Sequence, residues 1–487
     1  MVIGAGMGGL AAALLLAAQG RGVVVLERAP RPGGKIRRVE AGGAEVEAGP
    51  ALLTLRDVFE AIFDAAGASL DAHVALRPEA MLGRHVFADG TRLDLPADQG
   101  AAAEAIGGFA GAAAARGFLD FCARAARIHA ALDAPFLRSQ RPGAARFAAA
   151  AGLRGMLGAA PFGTLWDALG GHFADTRLRQ VFARAAAYVG TSPLQAPATL
   201  MLVSHVERMG TWRVEGGMGR LVAALEALAR AKGAAFRYGA EVREVVARSG
   251  RAAGVRLADG EVVAARAVIA NADVASLGAG RLGAAAARAV GEVPVARRSF
   301  SAVTWAMRAA VAGGPPAAQT VFHPADPAAE YADLGYRGRL PAAPGVTLWA
   351  QDRREGDAPP PGAAERLLAM VSAPARADLR PLPPTALAAC EAAAFGLMRR
   401  GGVEILRDPA AEVVTTPDDF EHLFPGTGGA LYGPAVQGWQ AAFSRPAAWT
   451  KLPGLYLAGG GTHPGAGVAM AALSGRLAAQ RVIGDGG

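Results

Sequence analysis

The sequence has few lysines and no compact basic segment. Its 487 residues carry a net charge of +8, but lysine occurs only at positions 35, 232 and 451, so arginine supplies almost all of the positive charge. The arginines are scattered and do not form the dense runs that follow a phosphate backbone. We therefore expect no nucleic-acid partner.

Cysteine and metal-binding motifs are also scarce. Cys122 and Cys390 are the two cysteines, and they lie far apart in the chain. This spacing argues against a disulfide framework and against a thiolate metal site. The eight histidines include no HExxH pattern, and none lies at metal-ligand spacing from a cysteine. We therefore predict no metal.

Long apolar runs are missing as well. No uninterrupted apolar stretch reaches the roughly 18 to 20 residues that cross a bilayer, although 52% of the residues are apolar and only 19% are charged. The first 20 residues are apolar like a signal peptide, but no basic residue precedes Arg21 and a strand-like GVVVLE follows at once. We predict a cytoplasmic protein with a large core that lies against a membrane surface.

The strongest positive signal is GAGMGG at residues 4–9, between a predicted strand at 2–3 and a predicted helix at 10–19. Gly4 permits a tight turn, Gly6 lets a pyrophosphate approach the backbone, and Gly9 lets helix and strand pack closely. Glu27 ends the next predicted strand, at 23–26, where its carboxylate can accept both ribose hydroxyls. This pattern predicts FAD or NAD and argues against NADP.

Two further glycine clusters favour FAD over NAD. Gly34 and Lys35 offer a second close backbone approach and a cation near a phosphate. Gly460 and Gly461 precede a predicted helix at 468–481, which begins with Val468 and directs a second helix amino terminus at the ligand. Val242, in a predicted strand at 241–246, is suited to contact adenine. A cofactor held by both ends of the chain must be long, which favours FAD.

No second dinucleotide fingerprint, which a nicotinamide cofactor would need, is present. The electrons are therefore expected to come from the substrate.

Other candidate residues are open to two interpretations. His463 lies beside the last glycine cluster, where an imidazole is either a weak catalytic candidate or a residue that shapes the turn. The arginines between residues 101 and 161 indicate helices with an apolar face, which either pack on a core or contact a membrane interface. Four tryptophans are compatible with the lining of an apolar tunnel or with an ordinary core, namely Trp305, Trp349, Trp439 and Trp449.

Several motifs together resemble the bacterial FAD-dependent carotenoid desaturases. They are VIGAGMGGL at 2–10, RPGGK at 31–35, AGPALLTLRDVFE at 48–60, RVEGGMGRL at 213–221, VIANAD at 268–273 and GLYLAGGGTHPGAGVAMAALSGRLAA at 454–479. Within this family, DDFEHLFPGTGGALYG at 418–433 and HPGAGVAM at 463–470 are most similar to the 1-hydroxycarotenoid 3,4-desaturases, also called methoxyneurosporene dehydrogenases. Members of the family have several more residues before the first strand, whereas three residues precede Gly4 here, so we expect a start that is either truncated or misassigned.

The resemblance implies FAD, a linear carotenoid substrate, oxygen or a quinone as electron acceptor, and peripheral association with the inner or intracytoplasmic membrane. The implied reaction is C3–C4 dehydrogenation of hydroxylated or methoxylated carotenoids of the 1-hydroxyneurosporene type. A phytoene-type desaturase of unhydroxylated carotenes, a flavin amine oxidase and a non-catalytic carotenoid carrier stay open as alternatives.

We predict an α/β fold in two parts. Residues 1–70, 205–275 and 430–487 are expected to form a Rossmann-like FAD-binding domain assembled from N-terminal, middle and C-terminal segments. Residues 71–204 and 276–429 are expected to form an α+β domain that faces the substrate and the membrane. Within the first part, a helix is predicted at 221–232 and strands at 236–238, 254–257, 261–269 and 454–457.

Overall fold

A five-stranded parallel sheet, here called the nucleotide sheet, forms the centre of one part of the fold. The structure is a computed structural model, and it describes residues 1–141, 143, 163–353, 359–360, 362–438 and 440–486. The strands of the nucleotide sheet lie in the order Ala235–Tyr238, Val24–Glu27, Val2–Ile3, Val268–Ala270 and Leu455–Leu457. Three distant parts of the chain therefore build one sheet, and the expected α/β fold with a Rossmann-like arrangement is confirmed. The proposed domain boundaries stay a prediction.

Both faces of the nucleotide sheet are buried, because successive side chains of a strand point in opposite directions. Val2 and Val25 face a layer of helices, whereas Ile3 and Leu26 face a small antiparallel sheet. This explains why the strands contain runs of apolar residues without alternation.

The helical layer consists of Met7–Ala18, Gly219–Ala231 and Val468–Gly484. Small side chains let the first and last of these helices pack closely. A Cβ atom on Gly475 would overlap the carbonyl oxygen of Gly8. The apolar first 20 residues thus belong to the core, where Leu10 and Leu14 are fully buried.

A three-stranded antiparallel sheet covers the other face, with strands Val242–Arg248, Arg251–Leu257 and Val262–Ala264. The single strand predicted at 261–269 is wrong. Its first part pairs in this small sheet, and its last part, Val268–Ala270, pairs in the nucleotide sheet. Arg266 lies between the two parts, but glycine and proline do not, so the sequence contains no turn residue that marks the break.

The second part of the fold is built on a larger mixed sheet. Its strands lie in the order Val403–Leu406, Ser301–Gly313, Glu365–Ala373, Val346–Ala350, Gln319–Phe322, Met81–Val86 and Arg92–Pro96, with Glu412–Thr415 also paired to Ser301–Gly313. Helix Pro384–Arg400 covers one face of this sheet. Helices on the side of Met81–Val86 form a separate apolar cluster, and they are Gln99–Ala110, Ala112–Leu132, Leu165–Gly170, Thr176–Ala187 and Leu202–Met209.

Short elements connect the two parts. A hairpin, Arg38–Ala41 with Ala44–Glu47, packs on the larger sheet, and strand Thr211–Val214 pairs with Leu53–Thr54 and Leu76–Pro78. The remaining α-helices are Arg56–Ala65, Leu70–His73, Val274–Gly278, Ala284–Val290, Pro327–Tyr331, Pro417–Leu423 and Ala441–Ser444. Short π and 3-10 segments occur at Asp133–Leu137, Ala198–Met201, Val295–Arg297, Ala332–Arg337 and Pro409–Ala411. Among the described residues, no helix combines the length and the apolar character that crossing a bilayer requires.

Candidate active site

One continuous cavity of about 1020 Å³ joins the glycine motifs to the larger sheet. Nine of the ten residues predicted to bind the cofactor line this cavity, namely Gly4, Gly6, Glu27, Gly34, Lys35, Val242, Gly460, Gly461 and Val468. Gly9 does not line it. A Cβ atom on Gly9 would overlap the carbonyl oxygen of Gly4, so this glycine lies beneath the turn and lets helix and strand pack. The position of Gly9 agrees with its predicted packing role, and the cofactor contacts of the other residues stay predictions.

The turn after the first strand brings bare backbone to the cavity. Gly4 has a φ of +92°, a conformation that side chains with a Cβ rarely adopt. A Cβ atom on Gly34 would lie 3.3 Å from the Cα atom of Gly6, so the two glycine segments touch through their backbones. These segments form a cradle without side chains, in which a pyrophosphate can approach the peptide groups.

Two helices direct their amino termini at the same cavity without a capping side chain. Gly6 precedes Met7–Ala18, Gly467 precedes Val468–Gly484, and neither helix carries an acidic residue in its first turn. The first N–H groups of a helix need partners from outside the helix. Uncapped amino termini with a partial positive charge are therefore well suited to the phosphates of a dinucleotide.

Glu27 ends the second strand and lines the cavity. Its Oε2 accepts a hydrogen bond of 2.7 Å from the Ala5 N–H, and its Oε1 accepts one of 2.8 Å from the Ala29 N–H. These two bonds fix the carboxylate beside the glycine turn. Each oxygen keeps a second lone pair, so the carboxylate can still accept hydroxyl groups of a ribose.

Lys35 and Arg445 bring positive charge to the cavity. The Lys35 ammonium donates to the carbonyl oxygen of Leu431 at 2.5 Å and lies 5.2 Å from the centre of the Phe424 ring. Burial lowers the pKa of Lys35, while the Asp273 carboxylate opposes the shift. The predicted contact between Lys35 and a phosphate stays a prediction.

Arg445 was not predicted from the sequence. Its residue is 2% exposed, and its guanidinium donates to the carbonyl oxygens of Gly460 at 2.6 Å, Pro434 at 2.8 Å and Tyr432 at 3.2 Å. Burial lowers its pKa to about 10, again opposed by Asp273, so the side chain stays charged at neutral pH. Arg445 thus holds the Gly460 loop in place and leaves a buried positive charge beside it.

Asn271 is a second residue that sequence reasoning missed. It follows the fourth strand of the nucleotide sheet, within VIANAD, and its amide nitrogen donates to the carbonyl oxygen of Gly4 at 3.4 Å. A Cβ atom on Gly6 would lie 2.8 Å from this amide nitrogen, and one on Gly459 would lie 3.0 Å from the amide oxygen. Asn271 therefore links the first and the last glycine cluster. Its position directly after a buried strand was the available signal.

His463 does not line the cavity. His463 is 2% exposed, and burial lowers its pKa to about 4. Its Nε2 atom lies 2.9 Å from the carbonyl oxygen of Phe136 and 3.1 Å from the carbonyl oxygen of Ser139. The weak catalytic candidate is thus neutral at physiological pH and occupied with backbone groups. This geometry favours the alternative role, in which His463 shapes the turn.

The rest of the cavity is mainly apolar. Trp349 on the larger sheet lines it, whereas Trp305 faces the opposite side of that sheet and donates its indole N–H to Glu391. Trp449 is 40% exposed, and Trp439 lies outside the described residues. Further apolar lining comes from Leu55, Leu132, Phe136, Leu200, Leu202, Val206, Leu368, Met370 and Phe443. Of these two tryptophans, Trp349 lines the cavity and Trp305 does not, and the tunnel itself stays a hypothesis.

Comparisons with known proteins agree with this site. A family model for flavin containing amine oxidoreductase matches residues 7–483. The chain belongs to this family. A hydroxyneurosporene desaturase from Rubrivivax gelatinosus is 46% identical over 491 residues, which cover 99% of this chain and 93% of the relative. One from Cereibacter sphaeroides is 42% identical over 487 residues, which cover 100% of this chain and 97% of the relative.

A solved structure supports the fold. Wild-type putrescine oxidase bound to putrescine aligns with 99% of this chain and 98% of its own, with a TM-score of 0.61 and 16% identity. Family and geometry together make the chain an FAD-dependent oxidoreductase, as expected. The glycine cradle, the two uncapped helix termini and the Glu27 carboxylate fit this cofactor.

Proposed function

We propose that the chain is an FAD-dependent desaturase that removes two hydrogens from C3–C4 of a linear 1-hydroxylated or methoxylated carotenoid. The observation that carries this proposal is the continuity of the cavity, which leads from the glycine cradle into a mainly apolar chamber. The relatives at 42% and 46% identity bear the name of this activity. A long apolar substrate and an extended cofactor can meet in such a cavity.

In this reaction the chain would bind the cofactor, orient the carotenoid and exclude water from the site. When bound, FAD would supply an acceptor for a hydride, which carries two electrons and one proton, and the second hydrogen would leave the carotenoid as a proton. Gly6, Glu27 and Gly460 would hold it, and apolar side chains such as Leu368 and Met370 would align the polyene and exclude water. The described lining of the cavity contains no histidine. A conjugated polyene spreads developing charge over many carbons, so the reaction depends less on a strong base.

A test without oxygen separates this proposal from its alternatives. Purified enzyme with bound FAD is mixed with 1-hydroxyneurosporene, and both flavin and carotenoid spectra are recorded. We expect the flavin absorbance to bleach and the carotenoid absorbance to move to longer wavelength, since one double bond joins the conjugated system. Binding without either change would instead indicate a carotenoid carrier. Bleaching by an amine, with no reaction of the carotenoid, would indicate an amine oxidase.

The electron acceptor and the membrane contact belong to the same proposal. Oxygen or a quinone would reoxidise the flavin. Each acceptor is added separately to the reduced enzyme, and the return of flavin absorbance identifies the acceptor.

Helix Ala112–Leu132 exposes Leu119 together with Arg116, Arg127 and Asp120. We expect this face to bind anionic vesicles.

Sedimentation with vesicles tests the membrane contact. The protein should sediment with vesicles that contain phosphatidylglycerol more than with phosphatidylcholine alone. The double variant Arg116→Glu/Arg127→Glu should lose this difference, whereas Arg256→Glu, at an exposed position of the small antiparallel sheet, should keep it. Equal sedimentation of the wild type and the double variant would contradict the contact.

A further inference from the structure

A polar pair interrupts the mainly apolar wall of the cavity. Tyr188 and Gln319 both line it, and the Gln319 amide donates a hydrogen bond of 3.0 Å to the Tyr188 hydroxyl oxygen. The hydroxyl proton of Tyr188 has no acceptor among the described residues. In an apolar chamber, a donor without a partner is costly unless the ligand supplies an acceptor.

Buried charges hold the Tyr188 ring in place. The Arg184 guanidinium lies 5.5 Å from the centre of the ring, and it donates to Glu207 at 3.1 Å. A second Arg184 nitrogen lies 3.2 Å from Nε2 of His85, which in turn contacts His323 at 2.9 Å. Burial raises the pKa of Tyr188, so its hydroxyl stays protonated at neutral pH and can act as a donor.

The polar pair lies at the cofactor end of the chamber. A Cβ atom on Gly190, two residues after Tyr188, would overlap the Tyr432 ring. A Cβ atom on Gly433 would lie 2.5 Å from the Cα atom of Gly461, in the last glycine cluster. The segment that carries Tyr188 therefore packs against the loop that contacts the last glycine cluster.

The chemistry of the proposed substrate requires a polar contact at this end. In a 1-hydroxylated carotenoid, one carbon separates the carbon that bears the hydroxyl from C3. The hydroxyl is therefore only a few bonds from the C3–C4 bond that is oxidised. When the C3–C4 bond lies beside the flavin, the hydroxyl must also lie close to the flavin. Recognition of the hydroxyl at the remote end of the chamber would therefore misplace the reacting carbons.

We propose that Tyr188 recognises the C1 hydroxyl of the substrate by donating a hydrogen bond to its oxygen, and that Gln319 positions Tyr188 for this contact. This inference rests on the proposed function and adds its specificity determinant. Neurosporene without the hydroxyl leaves the Tyr188 donor unpaired in a dry cavity. A site built in this way rejects the unhydroxylated chain more strongly than an apolar pocket could.

The test compares Tyr188→Phe with Tyr456→Phe, a matched change at a buried tyrosine that does not line the cavity. For each protein, kcat/KM and the dissociation constant are measured with 1-hydroxyneurosporene and with neurosporene. We expect the wild type to prefer the hydroxylated carotenoid. Tyr188→Phe should lower this preference about 10- to 100-fold, because one hydrogen bond and one unpaired donor are removed. Tyr456→Phe should leave the preference unchanged.

Gln319→Leu tests the positioning role. Alone, it should lower the preference less than Tyr188→Phe does. In the Tyr188→Phe background it should have no further effect on the preference, because its action passes through the tyrosine hydroxyl. Flavin absorbance and the melting temperature confirm that each variant is folded.

The outcomes separate the inference from the proposed function. If the wild type desaturates 1-hydroxyneurosporene but Tyr188→Phe keeps the full preference, the inference is wrong and the proposed function stands. If the wild type binds both carotenoids equally, the inference is also wrong. If the wild type desaturates neither, the proposed function fails, and the ratio of the two dissociation constants still decides whether Tyr188 recognises the hydroxyl.

Discussion

One end of the cavity offers mainly backbone groups for binding, and the other end offers mainly side chains. At the cradle end, around Gly4, Gly34 and Gly460, peptide groups face the cavity. At the chamber end, side chains such as Tyr188 and Trp349 do so. Peptide groups recognise phosphates in the same way in many proteins, whereas side chains distinguish one substrate from another. Cofactor affinity and substrate choice should therefore respond to different substitutions.

The largest expected effect is at the cradle, with Gly9→Ala. The added methyl group would overlap the Gly4 carbonyl oxygen, so the helix must move away from the strand. We expect the free energy of unfolding to fall by about 3 kcal/mol or more and FAD affinity to fall roughly 100-fold. Thermal melting and FAD titration measure the two effects.

The matched control is Gly22→Ala, where a Cβ atom would meet no other atom within 4 Å. Gly22→Ala should change neither the free energy of unfolding nor the FAD affinity appreciably. Equal loss of FAD in both variants would show that the cradle does not depend on close backbone approach.

The next effect is at the loop between the two ends, with Arg445→Met. This change removes the donor from three partly buried carbonyl oxygens, and we expect about 2 to 3 kcal/mol of destabilisation. It should also lower the FAD content of the purified protein. Arg256→Met, at a half-exposed surface ion pair, should cost less than about 1 kcal/mol. A normal melting temperature for Arg445→Met would rule out this structural role.

Glu27→Gln should have a smaller effect that is confined to the cofactor. The amide keeps one acceptor for the two N–H groups of Ala5 and Ala29 but loses the negative charge. We expect the dissociation constant of FAD to rise about 10-fold, with an unchanged preference between the two carotenoids. A shift in that preference would mean that the two ends are not independent. Glu261→Gln, in an exposed ion pair with Arg237, is the control.

The smallest expected effect concerns pH and His463. Its pKa is lowered to about 4 in the folded protein, so the unfolded chain takes up its proton first as pH falls below 6.5. Between pH 6.5 and 5.5 this histidine should cost about 1 kcal/mol of stability. His463→Gln should reduce the loss, whereas a catalytic role would instead make flavin reduction depend on pH. Melting curves and flavin reduction at both pH values distinguish the two roles.

Much of the cradle was predictable, because its chemistry is local in sequence. A glycine-rich turn between strand and helix, followed by Glu27, specifies backbone geometry within a few residues, and nine of the ten predicted residues line the cavity. The fold class and the cofactor followed from the same motifs.

The chamber was not predictable in the same way. Tyr188 and Gln319 are 131 positions apart, and no short motif connects them. Arg445 lies outside any periodic element and binds carbonyl groups, which leave no signature in the side-chain sequence. Trp305 and Trp349 are similar in sequence character, yet the pleat of the sheet places them on opposite faces.

The contact between Gly8 and Gly475 has a consequence for biosynthesis. Helix Met7–Ala18 leaves the ribosome well before its packing partner Val468–Gly484, because most of the described chain lies between them. At about 5 to 20 residues per second, translation leaves the first helix without that partner for tens of seconds. During this time its apolar surface is open to chaperones or to the membrane, and the nucleotide sheet can close only after strand Leu455–Leu457 has been synthesised.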